Sequence, residues 1–164
     1  GIDRVQAAYK LEKAEQLGSV FLTSLFKTQI DLINIRTMFR LKAAEREDKN
    51  LFLKGGFVDT SQFAGVFDLG YEAIAPLFYA TPYHEAIEGG AAYLAHEHSF
   101  LRLEKLCEDY LMGFLKITRA IASGPQPVIA YFLMKENEIR TVRMILTCKK
   151  NALESRLILD RLGE

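Results

Sequence analysis

Two cysteines and four prolines occur in 164 residues, and the formal net charge is zero. Cys107 and Cys148 lie inside apolar helical patterns and form no Cys-x-x-Cys pair, so a disulfide framework is disfavoured and a reduced cytosolic setting fits better. With 21 basic residues balanced by 21 acidic ones, the chain has no surplus of cations to hold phosphates, and no nucleic-acid partner is expected. The longest uninterrupted apolar run is Pro127 to Met134, far short of the roughly 20 residues that cross a bilayer, so no direct membrane span is expected. Asn-Gly and Asp-Gly hairpin signals are missing, as are a Gly-x-Ser-x-Gly elbow, a Walker-type phosphate loop and a Gly-x-Gly-x-x-Gly turn.

Apolar residues make up 49% of the chain and charged residues 26%, the balance of an ordinary globular domain. The apolar positions recur at helical spacing rather than alternating, which points to an all-α fold in a single domain. The clearest helix spans about 99–121. There Phe100, Leu103, Cys107, Tyr110, Phe114, Ile117 and Ile121 draw one stripe, Ser99 stands at the N-cap position, and Ser123-Gly124-Pro125 forms a stop and restart. Pro127 suits the first turn of the next helix, which runs to about Lys149. Its first half, Val128 to Met134, is apolar all round and is expected to be buried. A third long helix covers about 18–42. It is apolar over most of its circumference, with a narrow polar stripe of Ser24, Lys27, Asp31 and Asn34.

Charge is spread unevenly. Residues 51–100 carry one basic and six acidic side chains, together with 10 of the 18 aromatics and six of the eleven glycines. This acidic segment reads as short helices and turns forming an irregular surface between the long helices. At an offset of 107, Asp31, Leu32, Ile35, Arg36, Met38, Phe39 and Lys42 match Glu138, Ile139, Val142, Arg143, Ile145, Leu146 and Lys149. A short amphipathic helix is expected after each set, at about 47–54 and 152–162. The reading is of approximate repeats over 7–57 and 99–162, built from helical hairpins and joined by the acidic segment.

Few constellations carry chemistry. His84, His96 and His98, with Glu85 and Glu97 nearby, hold the residue types of a metal site, although no Glu has His three residues on and a solvated loop or helix start is the plainer reading. Cys107 on its apolar stripe reads as inert packing, as does Cys148 despite the neighbouring lysines. The late helix has Glu136 four residues before Arg140 and seven before Arg143, a spacing that allows a Glu–Arg pair and offers a polar contact surface.

Three stretches in order complete the pattern: Leu103-Glu104 with Asp109-Tyr110-Leu111, then Gly124-Pro125-Gln126-Pro127 leading into Val128–Leu133, then Lys135-Glu136-x-Glu138-Ile139-x-x-x-Arg143-x-Ile145-Leu146-x-x-Lys149. Together they resemble the C-terminal part of the central-stalk subunit of V/A-type rotary ATPases, known as the C subunit in bacteria and archaea and the d subunit in eukaryotes. Ile30-Asp31-x-x-Asn34-Ile35-Arg36-x-x-x-Arg40-x-Lys42, with Gly55-Gly56 after it, resembles a preceding repeat of the same family. Gln126, where the family often has Glu, and Cys148, where it usually has Gly, depart from the pattern. Family members are longer and have a further helical repeat, so the chain is expected to be a fragment lacking it or an unusually short member.

The resemblance implies a funnel-like, all-helical adaptor at the cytoplasmic face of the membrane, peripheral to it, with no active site, cofactor or metal. Its partners would be the central shaft subunits and the proteolipid rotor ring, in ATP-coupled proton or sodium transport. On that reading the candidate partner contacts are Asp31, Asn34, Arg36, Glu136, Glu138, Arg140 and Arg143. Two alternatives stand beside it: a free-standing helical protein-interaction domain, and a metal-binding helical protein using the His/Glu set.

Overall fold

The computed structural model describes residues 2–163, and among these every regular element is helical. The α-helices are α1 (Ile2–Gln16), α2 (Val20–Ala43), α3 (Thr60–Ala64), α4 (Ile74–Leu77), α5 (His84–Glu97), α6 (Leu101–Lys116), α7 (Gln126–Lys150) and α8 (Ser155–Leu162). The all-α expectation holds, and three long helices stand close to their expected bounds. Ser19 starts α2 by accepting the Leu22 N–H on its hydroxyl at 3.3 Å. Pro127 occupies the first turn of α7. Ser99 lies one residue outside the α6 cap, and its hydroxyl accepts the Leu101 N–H at 3.4 Å. The stripe on α6 stops short: Ile117 is 68% exposed, because the chain tightens into a 3-10 turn over Ile117–Ala120 and rotates away.

Three helices make the main core. Ile35, Met38 and Phe39 of α2 pack against Ile87 and Leu94 of α5 and Leu103 and Cys107 of α6, all essentially closed to solvent. The α5 and α6 backbones approach so closely that a Cβ on Gly90 would meet Leu103 Cδ1 at 2.5 Å. A second, smaller cluster joins Leu25 of α2, Leu115 of α6 and Ala130 of α7.

One expectation is extended and two are corrected. The acidic segment forms the short helices and turns expected of it, with many of its residues exposed, and it also supplies the centre of the core. Phe63 packs between Phe52 and Phe78, with ring centroids 5.7 and 5.5 Å away, and all three rings are buried. Its charges are exposed while Phe52, Phe63, Phe78 and Tyr83 point in, although Phe57 and Tyr79 stay exposed, so composition alone does not tell which side each residue takes. The short helix expected at 47–54 is only a 3-10 turn, Lys49–Leu51, because the backbone of Leu53 is drawn into hydrogen bonds with Asn34 of α2 instead of a helix of its own. The apolar first half of α7 is not buried: Val128, Tyr131 and Phe132 are 56%, 59% and 66% exposed, since α2 and α6 cover only the opposite side, through Ala130 and Leu133.

These burials set unequal costs for removing a ring. Phe63→Ala is expected to lower unfolding stability by about 3–5 kcal/mol, whereas Phe132→Ala, already facing water, is expected to cost under about 0.5 kcal/mol. Urea titration of both variants checks the contrast; equal losses would contradict the packing described.

Candidate partner-contact surface

Asp31 and Asn34 lie on the side of α2 that faces the 52–58 loop, and both are fully closed to solvent. Asn34 works as a two-way clasp. Its side-chain amide donates to the Leu53 carbonyl at 2.8 Å, and the Leu53 N–H donates to its Oδ1 at 2.8 Å. Asp31 accepts three bonds: from Phe57 N–H at 2.9 Å, from Val58 N–H at 3.3 Å and from the Tyr83 hydroxyl at 2.9 Å. The loop reaches the carboxylate only because residue 56 is glycine; a Cβ there would run into the Asp31 carboxylate. Burial pushes the Asp31 carboxyl above its usual range, against the pull of the Tyr83, Phe57 and Val58 donors. Burial beside Asp31 pushes the Tyr83 phenol up as well. Neither Asp31 nor Asn34 is therefore a surface contact residue. Their polar atoms are consumed inside the chain, tying α2 to the loop and to α5.

Arg36 is half-buried, and its Nε lies 2.7 Å from Glu104 of α6. The same carboxylate takes Arg40 at 2.7 Å, so one glutamate bridges two turns of α2 to α6. Where α7 diverges from α2 and α6 it leaves a cleft of about 360 Å³, whose walls include Arg36, Glu104, Glu108, Glu136, Asn137 and Arg140. The structure thus brings three of the seven candidates, Arg36, Glu136 and Arg140, to one cleft. Glu136 and Arg140 pair across one helical turn at 3.4 Å while largely exposed, a bond worth little by itself. Glu138 turns away and pairs with Lys135 at 2.7 Å, and Arg143 is exposed further along α7.

Sequence reasoning missed the most conspicuous part of α7. Val128, Phe132, Ile139, Val142 and Leu146 line one side at steps of three and four, with Lys135 inside the series, and each of the five is more than half exposed. The spacing was visible in the sequence; that nothing among the described residues covers it was not.

The histidines do not converge. His84 opens α5, its Nδ1 lying 3.0 Å from the Ala75 carbonyl, while His96 and His98 stand at the other end, about 18 Å along the helix axis. Among the described residues no three His, Cys, Asp or Glu side chains gather as a metal site, so the His/Glu metal reading is not supported. Cys107 is buried, and desolvation pushes its thiol up to about 11, far from a reactive thiolate. No helix among the described residues is long and apolar enough to cross a membrane.

A family model for the ATP synthase (C/AC39) subunit matches residues 3–161. The chain belongs to that family. It is 26% identical over 149 residues to the C subunit of the A-type ATP synthase of Methanococcoides burtonii, covering 88% of this chain and 41% of that protein. It is 24% identical over 167 aligned positions to the C subunit of the V-type sodium ATPase of Enterococcus hirae, covering 99% of this chain and 50% of that protein. The chain therefore spans half or less of the length of these curated relatives. No solved structure gives a significant match.

Asp31→Ala strands three buried donors and is expected to lower stability by about 2–4 kcal/mol. The pH dependence has a definite sign. Because the folded carboxyl binds its proton more tightly than the unfolded one, Asp31 contributes most below the unfolded value of 3.8, and that contribution is lost as pH rises through the folded value. Urea unfolding of the parent chain and Asp31→Asn from pH 3.5 upward is expected to show the parent's advantage shrinking, then levelling. An advantage that grows with pH would reverse the assignment.

Proposed function

We propose that the chain serves as a non-catalytic central-stalk adaptor of a V/A-type rotary ATPase. It links the rotating shaft to the membrane proteolipid ring during ATP-coupled proton or sodium transport, and it lies peripherally at the cytoplasmic face. The observation that carries this reading is the family match over residues 3–161, shared with relatives named as the C subunits of an A-type ATP synthase and of a V-type sodium ATPase.

The chemistry of the surface supports the same reading. The buried polar groups serve the fold, the Cys107 thiol is shielded, and the exposed features are a mixed-charge cleft and an apolar helix face. An adaptor that transmits torque requires a stiff body and exposed contact surfaces. Stiffness comes from the clasp on α2 and the Glu104 bridge. The contacts fall to Glu136, Glu138, Arg140 and Arg143 on α7, with Arg36 at the base of the cleft.

Charge reversal at exposed positions separates contact from folding. Arg140→Glu combined with Arg143→Glu is expected to leave the melting temperature within a few degrees, and to weaken retention on purified shaft subunits and solubilised rotor ring about tenfold or more. Undiminished retention would remove these arginines from the interface, and no retention of the well-folded parent chain would sink the adaptor reading.

A further inference from the structure

The charge balance of the whole chain does not extend to the face built by α1 and the 49–57 segment. A groove there consists of two joined cavities of about 530 and 330 Å³ that share Arg4, Ala7 and Leu53. The larger lies between α1 and α2, with Phe26, Ile30, Ile33 and Leu51 among its walls and Lys10 also on its lining. The smaller lies between α1 and the 49–54 turn, where Lys49 and Lys54 join Arg4. Among the described residues no carboxylate lines either cavity, and none forms an ion pair with these four cations. The acidic side chains flanking the turn are spent elsewhere. Asp48 accepts the Asn50 N–H at 3.1 Å, and Asp59, although it feels the charge of Lys54, accepts the Ser61 N–H at 2.8 Å. The α7 cleft is the opposite case, since Arg36 and Arg140 share it with Glu104, Glu108 and Glu136.

We propose that this groove binds a phosphate-headed lipid at an anionic membrane surface, with the phosphate among Arg4, Lys49 and Lys54 and an acyl chain along Phe26, Ile30 and Ile33. Three features select that occupant. Arginine and lysine are donors only, so the charged groups of the lining call for a ligand rich in acceptors and poor in donors. A phosphate supplies that, whereas any polypeptide segment, of this chain or another, brings a backbone N–H with almost every carbonyl. The larger cavity has the size and the apolar walls of a small-molecule site, which a bare anion would leave unused. Beside the groove, Leu51 and Phe57 are 46% and 58% exposed, and the Lys27 ammonium lies 5.6 Å over the Phe57 ring. Exposed apolar side chains set among lysines are suited to an anionic headgroup layer. The proposal goes beyond the adaptor reading, whose partners are proteins.

The first probe is decyl phosphate, titrated below its micelle concentration into the intact chain and read by calorimetry. Saturable binding is expected, with inorganic phosphate and the neutral decyl maltoside each about tenfold or more weaker, because each lacks one half of the ligand. Lys49→Glu combined with Lys54→Glu, both at exposed positions, is expected to leave the melt unchanged and to weaken decyl phosphate about tenfold or more. Arg140→Glu combined with Arg143→Glu makes the same change in net charge on α7 and is expected to leave binding unaltered. In a second arm, the parent chain is expected to sediment with phosphatidylcholine vesicles that contain phosphatidic acid and not with phosphatidylcholine alone, and the lysine variant with neither. Absent binding of decyl phosphate would overturn the proposal. Inorganic phosphate binding as tightly would make a free anion the occupant, decyl maltoside binding as tightly would make it a purely apolar ligand, and an equal loss in the α7 variant would reduce the effect to diffuse charge; each overturns it. Failure to sediment with the phosphatidic acid vesicles removes the membrane source, and the proposal with it. Because no other component of the ATPase enters either arm, their failure is separable from failure to be retained on the shaft and ring.

Discussion

An ionisable side chain sealed against an apolar core is the constraint around which this molecule is arranged. Asp31 has no access to water, so its carboxylate must find donors within the chain, and it finds them in Phe57, Val58 and Tyr83. Meeting that demand fixes the 52–58 loop against α2 and requires glycine at 56. It also draws in Tyr83, the residue just before α5. Asn34 repeats the logic one turn later with both backbone groups of Leu53. With the loop held, Phe52, Phe63, Phe78 and Tyr83 fill the core that α2, α5 and α6 share.

Much of this was legible in the sequence. Helical periodicity located α2, α6 and α7 within a few residues, because long amphipathic patterns are insensitive to local detail. The middle segment was not legible. Its glycines, prolines and acidic residues are the marks of an exposed connector, and its inward-facing aromatics are distributed over turns with no fixed period. Helix α5 escaped notice for a related reason: Gly89 and Gly90 weaken its helical pattern, yet Gly90 is what allows α6 to approach.

The candidate contacts divide along the same line. A polar stripe on an apolar helix reads as a surface, and for Asp31 and Asn34 that reading inverted the truth, since their partners are backbone groups that no pattern of side chains reveals. Arg36 was named as a contact without the glutamate 68 positions away that holds it. On α7 the error ran the other way. A stretch apolar all round reads as core, but the described residues supply neighbours for only one side. Burial is a property of what surrounds a helix, and sequence reports only the helix.

The polar groups of α2 lock the fold, and α7 is the element proposed to meet the partners. Amide hydrogen exchange on the chain alone and with purified shaft subunits tests this division of labour. Phe57 and Val58 should be protected in the free chain and unchanged by the partner, while residues 135–150 should gain protection when the shaft is added. Rapid exchange at Phe57 and Val58 in the free chain, or protection gained there and not on α7, would contradict it.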